Sequence, residues 1–303
     1  MATSPRNADL DPEVDYHRIY RDLTTLEFPW DFNQSLSFAL FRTYAVPSIG
    51  NLLHRTRQFE EHTQKRYDDT GILLELPLVH GFDHEQGRAA LRRINQMHKM
   101  YDISGDDMRY VLSTFVVVPK RWIDDYGWRR LTESEVRASV RYYQDLGGRM
   151  AIKDIPETYD EFADLMDSYE SEHFAFDEGA RKVADATKDL LASFYPSPLA
   201  PAIDVFSRSV MDEPLLRAFH YRRPGWLARA ASSGALKARA AVVAKLPPRR
   251  TPLRVADMPR IKSYPNGFDV TAMGTFTPGC PVRHRVDGPD PHQRRSSKSG
   301  SSH

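Results

Sequence analysis

Apolar residues return at three- and four-residue intervals through most of the chain, and no run of regularly alternating strands interrupts them. That spacing predicts helices over 12–23, 31–44, 58–76 and 86–101, and again over 177–194, 202–211 and 226–246. In the middle, three cap signals sharpen the boundaries. Ser104 with Asp107, Thr132 with Glu135 and Thr158 with Glu161 each pair a hydroxyl with an acid three residues on, which satisfies free N–H groups of a first turn. The helices they open are expected to stop at Val118 before Pro119, at Leu146 before Gly147-Gly148, and near Phe174. Pro156 suits the first turn of the third. The expected fold class is all-α, a single-domain helical bundle.

At 303 residues the chain is long enough to bury one sizeable core. The reading divides it into an N-terminal arm and first helix at 1–25, a helical domain at 26–246, a C-terminal extension packing on that domain at 247–280, and a tail at 281–303 too polar to order. With 41% hydrophobic and 27% charged residues the composition is globular, which excludes collagen-like and disulfide-scaffold classes. A net charge of +1 gives no global pull toward nucleic acid, and no base-reading motif is present. The one cysteine, Cys280, makes neither an internal disulfide nor a cysteine metal cluster, and reads as incidental. No signal-peptide pattern follows Met1, and the longest apolar run, Tyr110 to Val118, is far short of the ~20 residues of a spanning helix. A cytoplasmic location is expected.

Candidate chemistry centres on the helix over 86–101. Leu91, Ile94, Met97, His98 and Tyr101 share its apolar face, so His98 points into the core while Arg88, Arg92, Arg93 and Lys99 flank it. A neutral imidazole in such a setting can hold haem iron, with nearby arginines pairing with propionates. The alternative is a hydrogen-bonded core histidine, and periodicity leaves both open. His80-Gly81-Phe82-Asp83-His84 offers ligands for a non-haem metal but equally fits a solvated loop. Glu170 and His173 have the Glu-x-x-His spacing of di-iron sites, but the second such motif is missing, which favours a polar pair on one helix face. Trp122, Tyr126 and Trp128 form an aromatic cluster expected in the core, and Asp68, Asp69 and Thr70 read as a polar latch near the pocket.

Longer ordered stretches carry more specific information. Phe28-Pro29-Trp30-Asp31-Phe32, Lys65-Arg66-Tyr67-Asp68-Asp69-Thr70, Arg93-Ile94-Asn95-Gln96-Met97-His98 and Tyr169-Glu170-Ser171-Glu172-His173-Phe174 follow, in order and spacing, the pattern of the MpaB oxygenase family. The resemblance runs from about Leu26 to Phe276. It resembles a group that joins fungal enzymes cutting a prenyl chain oxidatively to bacterial b-type haem dioxygenases that cleave rubber. What this implies is a bundle of the rubber-oxygenase type whose domain at 26–246 is catalytic, with haem b as cofactor and His98 as axial iron ligand. Arg92 and Arg93 would then serve the propionates. The resemblance also matches Arg55-Thr56 to the distal pair of the rubber enzyme, where lysine stands in place of Arg55. Arginine is effectively always protonated and cannot copy a lysine nitrogen as a ligand. O₂ and a hydrophobic, isoprenoid or lipid-like substrate with a C=C bond to cleave complete the expectation. The competing reading is a non-catalytic haem-binding or membrane-surface lipid-binding protein.

Between Pro214 and Ala256 lie ten basic residues and no acidic one. Trp226, Leu227, Leu236, Val242, Val243 and Leu246 stand among them, so residues 222–250 can dock as a basic amphipathic helix on an anionic membrane, the inner face if the location is cytoplasmic. A helix packed on the bundle with a solvated basic face is the other reading.

Overall fold

A computed structural model describes residues 6–274, and those residues are all-α with no strand among them. Cys280 and the tail at 281–303 lie outside the described residues.

In chain order the helices are α1 (Tyr16–Asp22), α2 (Pro29–Tyr44), α3 (Pro47–Arg55), α4 (Gln58–Glu61), α5 (Thr63–His80), α6 (Glu85–His98) and α7 (Gly105–Tyr126). They continue with α8 (Glu133–Arg149), α9 (Tyr159–His173), α10 (Glu178–Ser193), α11 (Ala200–Val210), α12 (Glu213–Ala218) and α13 (Trp226–Val243). One π turn, Leu23–Glu27, joins α1 toward α2. Pro29 and Pro47 each occupy the first turn of their helix, where a missing N–H costs nothing. All three cap signals hold. Ser104, Thr132 and Thr158 accept from the backbone N–H three residues on, and Thr132 and Thr158 complete reciprocal boxes with Glu135 and Glu161. Asp107 leaves its box open because its carboxylate accepts from Ser48 Oγ (2.9 Å) and Tyr169 OH (3.0 Å) instead.

Pro119 does not end its helix. α7 carries on to Tyr126 and buries Trp122 and Ile123 beyond the proline. An interior proline costs about 3 kcal/mol, whereas burying two large apolar side chains returns roughly 1.5–3 kcal/mol each, so packing outweighs the lost hydrogen bond. The expected helix over 58–76 is two: α4 ends at Glu61, the backbone of His62 leaves helical geometry, and α5 runs on through Pro77.

α7 is the central helix, packed against α2, α8 and α9. Its main cluster joins Tyr110, Val116, Val117 and Ile123 to Phe28, Phe32, Tyr142 and Phe162. A second cluster ties α2 to α10 and α12 through Phe41, Val183, Leu215 and Phe219. α3 meets α10 closely: a methyl group on Gly50 would collide with the Tyr44 carbonyl and with Ala180. Trp122 stacks on Phe38 and donates to Asp31 (3.3 Å), and Trp128 stacks on Phe28, so this aromatic cluster is core. Glu170 accepts from Arg42 Nε (2.6 Å) and Tyr110 OH (3.1 Å), pinning α9 to α2 and α7. His173 is exposed and stacks on Tyr169, so it does not pair with Glu170.

Candidate active site

α2, α3, α5, α6, α7, α8 and α10 enclose a largely apolar cavity of about 400 Å³, within the volume range of small-molecule sites. Helical register selects what faces it. From α5 come Thr63, Arg66, Thr70 and Leu74, a stripe at three- and four-residue steps, and from α3 and its end come Ile49, Leu52, Leu53 and Thr56. α6 contributes Ile94, Met97 and His98.

His98 is the last residue of α6. A helix C-terminus would favour the imidazolium, but burial and the Arg66 guanidinium act the other way and more strongly. The pKa is lowered from 6.5 to about 4, so the ring is neutral across the physiological range. Its Nδ1 is buried without a hydrogen-bond partner. Arg66 donates to Thr70 Oγ1 (3.0 Å) and lies over the Phe59 ring, 5.3 Å from its centre. Among the described residues no carboxylate pairs with it, and burial pulls its pKa down. The cavity thus holds a neutral imidazole whose Nδ1 makes no hydrogen bond, beside a buried guanidinium that Asp69 influences without forming a salt bridge.

Thr56 reaches the cavity, although its hydroxyl donates back to Leu53 O (2.6 Å). Arg55, one residue earlier on α3, is exposed on the other side of the helix and does not line the cavity. Arg92 is likewise exposed. Arg93 is buried, but its Nε donates to Met273 O (2.5 Å) at the C-terminal extension, away from the cavity wall. Arg66 was the residue that sequence reasoning passed over. The signal was available, since Arg66, Thr70 and Leu73 fall on one face of α5 at i, i+4 and i+7.

The chain after α13 returns across α5 and closes the cavity with Leu253, Val255 and Met258. Three α5 acids hold it down by its backbone. Asp68 accepts from Lys262 N (3.0 Å) and Ser263 N (2.9 Å), Asp69 from Gly274 N (2.9 Å) and the Tyr264 hydroxyl, and Glu75 from Ala256 N (3.1 Å) and Val255 N. The aspartates are therefore a latch, and what they latch is this strap.

His80 and His84 stack 5.2 Å apart, His84 caps α6 through Gln86 N (3.3 Å), and Asp83 pairs with Arg149 (2.9 Å). Among the described residues no group of three or more His, Cys, Asp or Glu side chains is arranged to hold a metal ion.

The model of the family described as ER-bound oxygenase mpaB/B'/Rubber oxygenase, catalytic domain, matches residues 35–246, a span containing Thr56, Arg66 and His98. The ER-bound oxygenase mpaB' of Penicillium brevicompactum is 31% identical over 261 residues, covering 79% of this chain and 61% of that protein. The ER-bound oxygenase mpaB of the same organism is 32% identical over 230 residues, covering 69% and 59%. Its namesake from Penicillium roqueforti (strain FM164) is 29% identical over 222 residues, covering 67% and 74%. The chain thus spans less than two thirds of the length of the first two relatives. The match over residues 35–246, together with relatives 31% and 32% identical over 79% and 69% of this chain, makes this chain a member of the mpaB and rubber-oxygenase catalytic-domain family.

Proposed function

We propose that this chain is a haem-dependent oxygenase that cleaves a C=C bond in a hydrophobic, isoprenoid or lipid-like substrate. The observation that carries the proposal is His98: a neutral imidazole with a buried, unpartnered Nδ1, set in an apolar cavity beside Arg66. A neutral ring is the form that ligates iron, and Nδ1 makes no hydrogen bond that would compete for the ring. Arg66 lines the cavity whereas Arg92 and Arg93 do not, so Arg66 would be the partner of a haem propionate there. Haem b bound there would supply O₂ binding and the electron chemistry of the cleavage. The apolar walls would exclude water and hold an uncharged alkene against it, and each alkene carbon would leave as a carbonyl bearing one oxygen atom. Oxygen uptake by the haem-loaded protein tests this. Uptake matched by one cleaved double bond per O₂ supports the oxygenase, whereas bound haem with no uptake on any unsaturated lipid supports a haem carrier.

A peripheral membrane location rests on a separate observation. Trp226 is 75% exposed and Leu227 65%, with Val242 and Leu246 also open, among exposed Arg222, Arg229, Lys237, Lys245, Arg249 and Arg250. Arg239 leaves this face, since it lies over Trp30 and bonds buried Asp31 (3.0 Å). No helix among the described residues is long and apolar enough to cross a membrane. Docking of 222–250 on an anionic surface fits these features and the ER-bound names of the relatives.

A further inference from the structure

A second chamber, of about 590 Å³, lies beside the first. Ser37, Leu191, Leu253 and Met258 face both, so the wall between them is one side chain thick. Phe38, Phe41, Phe206 and Met211 make its interior apolar. Its charged lining is all of one sign: Lys188, Arg260 and Lys262, with no aspartate or glutamate. Lys188 is already neutralised by Asp204. The other two are not. Arg260 Nε is buried without a partner, and Nη2 touches the weak acceptor Met258 Sδ at 2.6 Å. Lys262 Nζ meets the Phe194 ring at 5.9 Å and forms no salt bridge among the described residues. Arg260 brings a guanidinium with no acid partner among the described residues into an apolar chamber, and solvent-exposed Lys262 stands beside it, a lining suited to a ligand with an apolar body and an anionic end.

We propose that this second chamber binds the anionic head, carboxylate or phosphate, of a single-chain amphiphile, with Arg260 and Lys262 as counter-charges. The chain lies along Phe38, Phe41, Phe206 and Met211, toward the thin wall of the His98 cavity. The site is independent of whether His98 holds haem. It also couples to the strap, because Arg260 and Lys262 belong to the segment whose backbone Gln64 and Asp68 hold.

Both cations can be removed without touching those backbone bonds. Calorimetric titration of the full chain with dodecanoate, dodecyl phosphate and dodecanol compares one chain length with three heads. One or both anions are expected to bind about tenfold or more tightly than the alcohol, the worth of one charge-assisted contact, and added salt should erode the difference. The stronger anion identifies the head as carboxylate or phosphate. Arg260→Gln and Lys262→Gln should each reduce the preference, and the double variant should abolish it while alcohol binding and the thermal midpoint stay at parental values. Equal binding of acid, phosphate and alcohol to the parent would overturn the assignment. So would a preference that survives the double substitution but disappears in Arg66→Gln, since the head would then sit in the His98 cavity.

Discussion

His98 gives the cofactor-free protein a pH dependence that can be calculated. Its folded pKa is depressed from 6.5 to about 4, because burial and Arg66 oppose the charged ring. A histidine held neutral contributes stability that is intact above its unfolded pKa and is lost as pH falls through 6.5 toward 4. With about 1.4 kcal/mol per pKa unit, the loss attributable to this one ring reaches about 2.5 kcal/mol at pH 4.5 in the limit of a dry site. Water admitted to the cavity would screen the ring, so roughly 1–2.5 kcal/mol is the expected range. The perturbation is His98→Leu, which cannot charge. Carboxylates also titrate in this window, so the measured quantity is a difference: urea unfolding of parent and variant at pH 7.0, 6.0, 5.0 and 4.5. Taking about 3 kcal/mol/M as the urea slope, the gap between their midpoints should move by roughly 0.3–0.8 M in the variant's favour from pH 7.0 to pH 4.5. A gap that stays constant across the range would refute the reasoning, because it would mean that the ring charges as easily in the fold as in the unfolded chain.

Glu170→Gln should lower stability by about 3 kcal/mol in chemical unfolding, since it leaves the buried Arg42 guanidinium with only the partly exposed Asp212 as its carboxylate. Asp69→Asn weakens the acceptor for Lys65, Tyr264 and Gly274, so limited proteolysis should cut within 247–274 several-fold faster, while the thermal midpoint falls by only a few degrees. Arg239→Met should behave like Glu170→Gln and not like a surface change, because it strips buried Asp31 of its cation; loss of at least about 2 kcal/mol in the same unfolding assay is expected.

The fold was legible because its signals are local. Hydroxyl and acid at three-residue spacing mark helix starts by a hydrogen-bonding rule that needs no tertiary context, and Ser104, Thr132 and Thr158 all serve as caps. Pro119 failed as a stop signal because the outcome depends on what lies beyond it, and Trp122 and Ile123 are buried by distant parts of the chain. The site was legible in part. Helical spacing put His98 on an inward face, and the structure places it in the cavity with a partnerless nitrogen. Arg55 was read without α3, a nine-residue helix whose inward stripe is Ile49, Leu52, Leu53 and Thr56 and whose register turns Arg55 outward. Arg66 looked like one charge among several in Lys65 to Asp69. Only the packing of α5 against α6 separates it from Lys65, which pairs with Asp69. The strap could not be foreseen as a wall, since backbone N–H groups of 255–274 carry no sequence signature and the acids that hold them lie some 180 residues or more away along the chain.

The central claim is that His98 is an iron ligand, and the absorption spectrum of the protein loaded with haem b tests it most directly. The parent should show a Soret band, Arg92→Ala and Arg93→Ala should keep it in position, and His98→Ala should lose or shift it, with added imidazole restoring the parental band through the space the ring vacates. A parental Soret band that persists unchanged in His98→Ala would contradict the account, because the iron would then be held by another residue.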